Sequence, residues 1–164
     1  MNWKVPKKIK IYEAIGCVED GRVFVYKNKG KVKSSSKNKT YNIMYDPKSN
    51  SIMSNDNSSY YTEYLGYPAI AFLLKVNELK YSKKFGEYVK DIFWKEIYVK
   101  HDQNKGKGVP NYDYNAVKKE IEDIIIKRGV DIEEFRKYVE KIEYDLKSKK
   151  LNLLGEKQKP PKGF

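Results

Sequence analysis

The sequence predicts an α+β fold: a four-stranded antiparallel sheet covered on one face by helices, with a C-terminal heptad-bearing helix. Three observations predict it. Short runs rich in β-branched and aromatic residues, separated by turn residues, fill positions 22–54. Helix-capping and apolar-periodic signals take over from Asn55. Near the end, Ile132, Phe135, Val139, Ile142 and Leu146 recur at spacings of 3, 4, 3 and 4, a heptad seam.

Taken in order, Ile9–Val18 has a mixed apolar pattern that fits either a short helix or a strand, and Asp20-Gly21 marks a turn. Arg22–Tyr26 alternates, Asn28-Lys29-Gly30 turns, and Lys31–Ser35 returns. Thr40–Tyr45 and Ser51–Ser54 complete the meander around a turn at Asp46-Pro47. Asn55-Asp56-Asn57-Ser58 offers N-caps for a helix over Tyr60–Leu65, and Pro68 suits the first turn of the next. Ser82 caps a third helix carrying Phe85, Val89 and Ile92. Lys100–Tyr112 is a loop. Asp113–Arg128 is a helix closed by Gly129. Asp131 and Glu134 have capping-box spacing ahead of the last helix. The organisation is therefore one α+β domain over 1–129, a C-terminal helix over 130–154 and a disordered tail over 155–164.

Composition points to a polyanionic partner. The chain carries 34 Lys and Arg against 22 Asp and Glu, a formal net charge of +12. The first fifty residues hold 12 basic and 4 acidic side chains, a net of +8, most of it on the meander. A lysine-rich surface is also a thermophile signature, and 31 of the basic residues are Lys. No signal-peptide core and no membrane-length apolar run is present, so a cytoplasmic protein is expected.

Catalysis finds little support. Cys17 and His101 are the only residues of their kinds, so disulfides and Cys/His metal sites are not expected. Gly106-Lys107-Gly108 lacks the setting of a phosphate loop. The expectation is no enzyme, no cofactor and no metal.

Aromatic content is the positive signal, at 15 Tyr, 6 Phe and 2 Trp. Tyrosine joins a stacking surface to a polar handle, and base–aromatic stacking needs only a π-face. Pairing Tyr26 with Lys31 gathers Val23, Val25, Val32, Ile43 and Ile52 on a core face. The opposite face then presents Arg22, Phe24, Tyr26, Lys31, Lys33, Thr40, Asn42, Met44 and Met53. Tyr60, Tyr64 and Tyr67 fall on one helical stripe, and Tyr61 stands off it. Phe24, Tyr26 and Tyr61 are the candidate stacking residues; Arg22, Lys31, Lys33, Lys37 and Lys39 are the candidate phosphate ligands.

The basic sheet, the Tyr-rich helical layer entered through Ser54-Asn55-Asp56-Asn57-Ser58-Ser59-Tyr60 and Gly66-Tyr67-Pro68, and the final heptad helix together resemble the ThermoDBP-related single-stranded DNA-binding proteins. The resemblance is one of layout, from about Ile11 to Leu154. It implies an α+β domain with a cleft lined by aromatic and basic residues, and self-association in part through the C-terminal helix. The expectation is sequence-tolerant binding of single-stranded DNA, with RNA as the alternative and no membrane partner. A homo-dimer or homo-tetramer would form through Ile132, Phe135, Val139, Ile142 and Leu146. The rival is a homo-oligomeric structural or adaptor protein with an incidentally basic surface.

Overall fold

A computed structural model describes residues 1–162. The fold is α+β, with one sheet of five strands rather than four, in the order β1-β2-β3-β4-β5. Helix α1 (Lys8–Glu19) leads into β1 (Val23–Tyr26), β2 (Lys29–Lys33), β3 (Thr40–Asp46) and β4 (Ser51–Ser54). Helices α2 (Asn57–Thr62), α3 (Tyr67–Lys75), α4 (Lys83–Gly86), α5 (Trp94–Lys100), α6 (Tyr114–Lys127) and α7 (Ile132–Lys149) follow. Strand β5 (Asn152–Leu153) returns to lie parallel to β4, pairing Asn152 with Ser51 and Leu153 with Ile52. The other pairings are antiparallel. Two residues carry no sequence signal for a strand; β5 exists because an open edge of β4 is there to receive it.

The hairpin keeps Phe24, Tyr26, Lys31 and Lys33 outside and Val23 and Val32 inside, but not its expected register. Arg22 and Met53, expected on the outer face, are buried, and Val25, expected in the core, is exposed. Tyr26 pairs with Lys29 and Phe24 with Lys31, a slip of two residues from the Tyr26–Lys31 pairing. A turn at Lys27-Asn28 closes the hairpin, with Lys27 in the left-handed region at φ 54°. A two-residue slip does not by itself turn a side chain to the other face. Gly30 is therefore a strand residue and not a turn residue. A Cβ there would stand 2.5 Å from the Phe72 ring, so glycine is what lets α3 lie close on the sheet.

Helix α3 covers the inner face, where Val23, Val32, Ile43, Tyr45 and Ile52 meet Ile70, Phe72 and Leu73. Helix α1 packs on α3, and α6 and α7 pack on α1. Ile9–Val18 is thus a helix, buried along Ile11–Val18 without a solvent face. Asp56 caps α2 by accepting from the Ser59 amide at 3.2 Å, and its carboxylate also takes the Ser54 and Ser59 hydroxyls at 2.6 Å each. The expected third helix is a single turn, α4, followed by an irregular stretch to Trp94.

Helix α7 forms with Asp131 as its cap, accepting from the Glu133 amide at 2.9 Å. Its heptad seam is not open. Phe135, Val139, Ile142 and Leu146 are buried in the chain's own core, and Ile132 is half-buried against it. Phe135 meets Tyr12 of α1 edge-on, with ring centroids 5.0 Å apart. The spacing expected of an oligomerisation element belongs here to an internal helix–helix contact.

The expected tail of 155–164 reaches Gly163 and Phe164, which lie outside the described residues. Its described part is irregular, with Lys157 Nζ 3.1 Å from Glu63 and the Lys159 carbonyl accepting from Asn55 at 3.5 Å.

Candidate nucleic-acid interface

Strands β1–β3 turn a mixed aromatic and basic face to solvent. Alternation along β2 sends Lys29, Lys31 and Lys33 outward and buries Gly30 and Val32. Across the strands, Phe24, Lys31 and Asn42 form one row, Tyr26, Lys29 and Met44 the next, and Lys33 stands beside Thr40. Phe24 is 52% exposed and Tyr26 71%. A ring half or more in water makes little of its burial energy, so packing alone gives no reason for these residues at these positions.

Lysines complete the face. Lys33 Nζ lies 5.4 Å from the Phe24 ring centre, and Lys27 Nζ 5.4 Å from that of Tyr26. Such contacts hold the ammonium groups next to the aromatic faces while leaving them hydrated. Among the described residues, none of Lys27, Lys29, Lys31, Lys33, Lys37 or Lys39 has a carboxylate within ion-pair distance. Lys37 is exposed in the β2–β3 loop at φ 62°, and Lys39 sits half-buried at the start of β3. Lys27 and Lys29 were missed by sequence reasoning. A turn placed at 28–30 removes Lys29 from the strand alternation, and pairing Tyr26 with Lys29 restores it; Lys27 stands in the turn itself, where alternation gives no signal.

Arg22 leaves this face. Its side chain is 3% exposed and turns to the helical side, where Nη1 donates to the Lys33 carbonyl at 2.9 Å. Nε stands 3.6 Å from Asp20, and the guanidinium lies 6.0 Å from the Tyr67 ring centre. Arg22 fastens the end of the hairpin to the core and is not placed to meet a phosphate on the sheet.

Tyr61 is 71% exposed on α2 and stands on a different surface. It borders a groove of about 760 Å³ that also involves the start of α1, the entry to α3 and the residues before α6. Tyr41, Tyr64, Tyr67, Tyr112 and Tyr114 share that groove with Lys7 and Lys10. The sequence placed Tyr67 on the core side of a stripe and left Tyr112 and Tyr114 in or beside a loop. Only the tertiary fold brings them together.

Elsewhere the chemistry is structural. Cys17 is fully buried, and burial pushes its thiol up to about 12, so it does not supply a thiolate near neutrality. His101 Nε2 lies 3.4 Å from Glu120, which also meets Lys100 at 2.6 Å. Among the described residues no three His, Cys, Asp or Glu side chains gather to hold a metal ion, and no helix is long and apolar enough to cross a membrane.

No curated protein and no solved structure matches the chain. One family model does, over residues 3–152, and nothing in that match links the chain to the ThermoDBP-related proteins. The match takes in α1 and all the strands up to the first residue of β5, and with them both the sheet face and the tyrosine groove. The chain belongs to the family described as uncharacterised conserved protein UCP014422.

Proposed function

We propose that this protein binds single-stranded DNA, without strong sequence preference, on the outer face of β1–β3. The observation that carries the reading is the pair of solvent-exposed rings, Phe24 and Tyr26, among lysines that have no carboxylate partner among the described residues. Each ring offers a stack worth about 1–3 kcal/mol per base to any base. The lysines supply the phosphate term, which is independent of sequence and weakens with salt. A duplex keeps its bases stacked on each other and would use the lysines alone.

The test is a titration of labelled single-stranded DNA, single-stranded RNA and duplex DNA at two salt concentrations. Single strands should bind more tightly than duplex of equal length, and log affinity should fall linearly with log salt. Equal or tighter duplex binding would remove the stacking rings from the account. RNA binding more tightly than DNA would reassign the partner, because the 2′-hydroxyl distinguishes the two.

A further inference from the structure

The tyrosine groove has properties that the sheet face does not explain. Its tyrosines come from separate parts of the chain: Tyr41 from β3, Tyr61 and Tyr64 from α2 and its exit, Tyr67 from α3, Tyr112 and Tyr114 from the approach to α6. Among the described residues none of these six hydroxyls makes a hydrogen bond. Tyrosines elsewhere do use theirs: buried Tyr12 donates to Glu122 at 2.7 Å, buried Tyr98 to Glu13 at 3.2 Å and half-buried Tyr138 to the Lys80 carbonyl at 3.0 Å. Burial pushes the Tyr41 phenol up to about 12 and that of Tyr67 well above its usual value, so both stay neutral donors. A concave wall with six tyrosines and several unspent hydroxyls has the mixed aromatic and polar character of a small-ligand site, and about 760 Å³ is within the range of such sites.

Lysines stand at one end of the groove. Lys7 Nζ lies 4.7 Å from the Tyr114 ring centre and Lys4 Nζ 5.4 Å from that of Tyr64. Lys10 is less free, at 3.8 Å from Glu13 and 4.3 Å from the Tyr98 ring centre. The 12-residue helix α1 begins at this rim with Lys7 at its N-cap, without a side-chain cap and without an acidic residue in its first turn. Its partial positive end adds to the lysines. Asp56 is the carboxylate in the lining, and its oxygens are taken by Ser54 and Ser59.

We propose that this groove is a second binding site, which takes one nucleoside monophosphate unit with its base among the tyrosines and its phosphate at Lys7. The aromatic wall fits a planar base, the hydroxyls fit its edge and sugar, and the rim fits a single compact anion. The site does not depend on the sheet-face reading, and the two separate experimentally.

Isothermal titration of 5′-dAMP, deoxyadenosine and inorganic phosphate into the full chain tests the proposal. The monophosphate should bind, and each of its two halves should bind more weakly. Tyr61→Ala and Lys7→Gln, both at exposed side chains, should each weaken 5′-dAMP by roughly tenfold, within the range of one stack or one charge-assisted hydrogen bond. Lys83→Ala, at a lysine already paired with Glu19 and Glu87 and outside both surfaces, should leave it unchanged. Absence of 5′-dAMP binding at millimolar concentration, or equal affinity in wild type and both groove variants, would overturn the site. Deoxyadenosine binding as tightly as 5′-dAMP would overturn the phosphate assignment. The source of the unit is read from oligodeoxyadenylate. If Tyr61→Ala also weakens the oligomer, a strand supplies the nucleotide; if it does not, the groove takes the free one.

Discussion

Two buried glutamates respond to acid in opposite directions. Glu122 is desolvated, which on its own would raise it. Two hydrogen bonds from Arg136, at 2.7 and 2.9 Å, and one from Tyr12 at 2.7 Å outweigh that and hold the carboxyl below its usual range. Its contribution to stability is therefore complete above the unfolded value and is lost as pH falls through the folded one. Glu13 is raised by burial, which Lys10, Arg22 and Tyr98 only partly offset. Its contribution is complete below the unfolded value and is lost as pH rises through the folded one. Thermal melts across pH should then show Glu122→Gln below wild type at neutral pH, converging below about pH 4. Glu13→Gln should melt above wild type at neutral pH and converge at the same acid end. Matching pH profiles for the two variants would contradict the assignment. Neither role was legible in the sequence: Glu122 reads as a helix-surface carboxylate among lysines, and Glu13 lies in a segment whose apolar pattern fits helix or strand. At the sheet face the residues were legible, because alternation alone exposes Phe24, Tyr26, Lys31 and Lys33. Phe24→Ala with Tyr26→Ala should weaken single-strand binding by about 1–3 kcal/mol for each stack removed and leave the melting temperature nearly unchanged.

Elements were read well where one side meets water and poorly where neither does. Helix α1 gave no clear period because Ile11–Val18 is buried on every side, so no polar stripe marks its outside. The hairpin register was missed by two residues because Gly30 looked like turn chemistry and is packing chemistry. Gly30→Ala should cost about 1–3 kcal/mol by forcing Phe72 and α3 away from β2, measurable as a lower denaturation midpoint with unchanged slope. Helix α7 was found, capped and phased from sequence, yet its partner was not. A 3-4-3-4 seam is the same pattern whether it meets another chain or α1. With Val139 and Ile142 inside this core, Lys at either position should unfold the chain, because a lone buried charge costs several kcal/mol. Circular dichroism should report a loss of helix. A well-folded Lys variant would mean that the seam does not pack inside its own chain.

Across the whole molecule, the net charge of +12 is spread unevenly between paired and unpaired lysines. Helices α4 to α7 tie many of their lysines to carboxylates, as in Lys83–Glu19, Lys100–Glu120 and Lys141–Asp145. The β1–β3 face does not. Lys31→Ala with Lys33→Ala should therefore reduce the salt slope of strand binding by about one unit for each phosphate left without its lysine. Lys83→Ala with Lys141→Ala removes the same formal charge from paired positions and should leave that slope almost intact. Equal effects of the two double variants would show that overall charge, and not this face, governs affinity. Composition revealed the excess of lysine but not its pairing, which joins residues as distant in sequence as Lys83 and Glu19.

Strand β5 sets the order in which the fold can be completed during synthesis. The edge of β4 is paired only when Asn152 and Leu153 arrive, about a hundred residues after Ser51 and Ile52. The same late arrival ties down the beginning of the chain, since Trp3 donates to the Leu151 carbonyl at 2.9 Å and Leu153 to that of Met1 at 2.9 Å. Until the ribosome has released these last residues, a nascent chain holds a finished hairpin and an unguarded strand at once. A message truncated before Leu151 would leave that strand open for good, and its product would be cleared or would aggregate through β4.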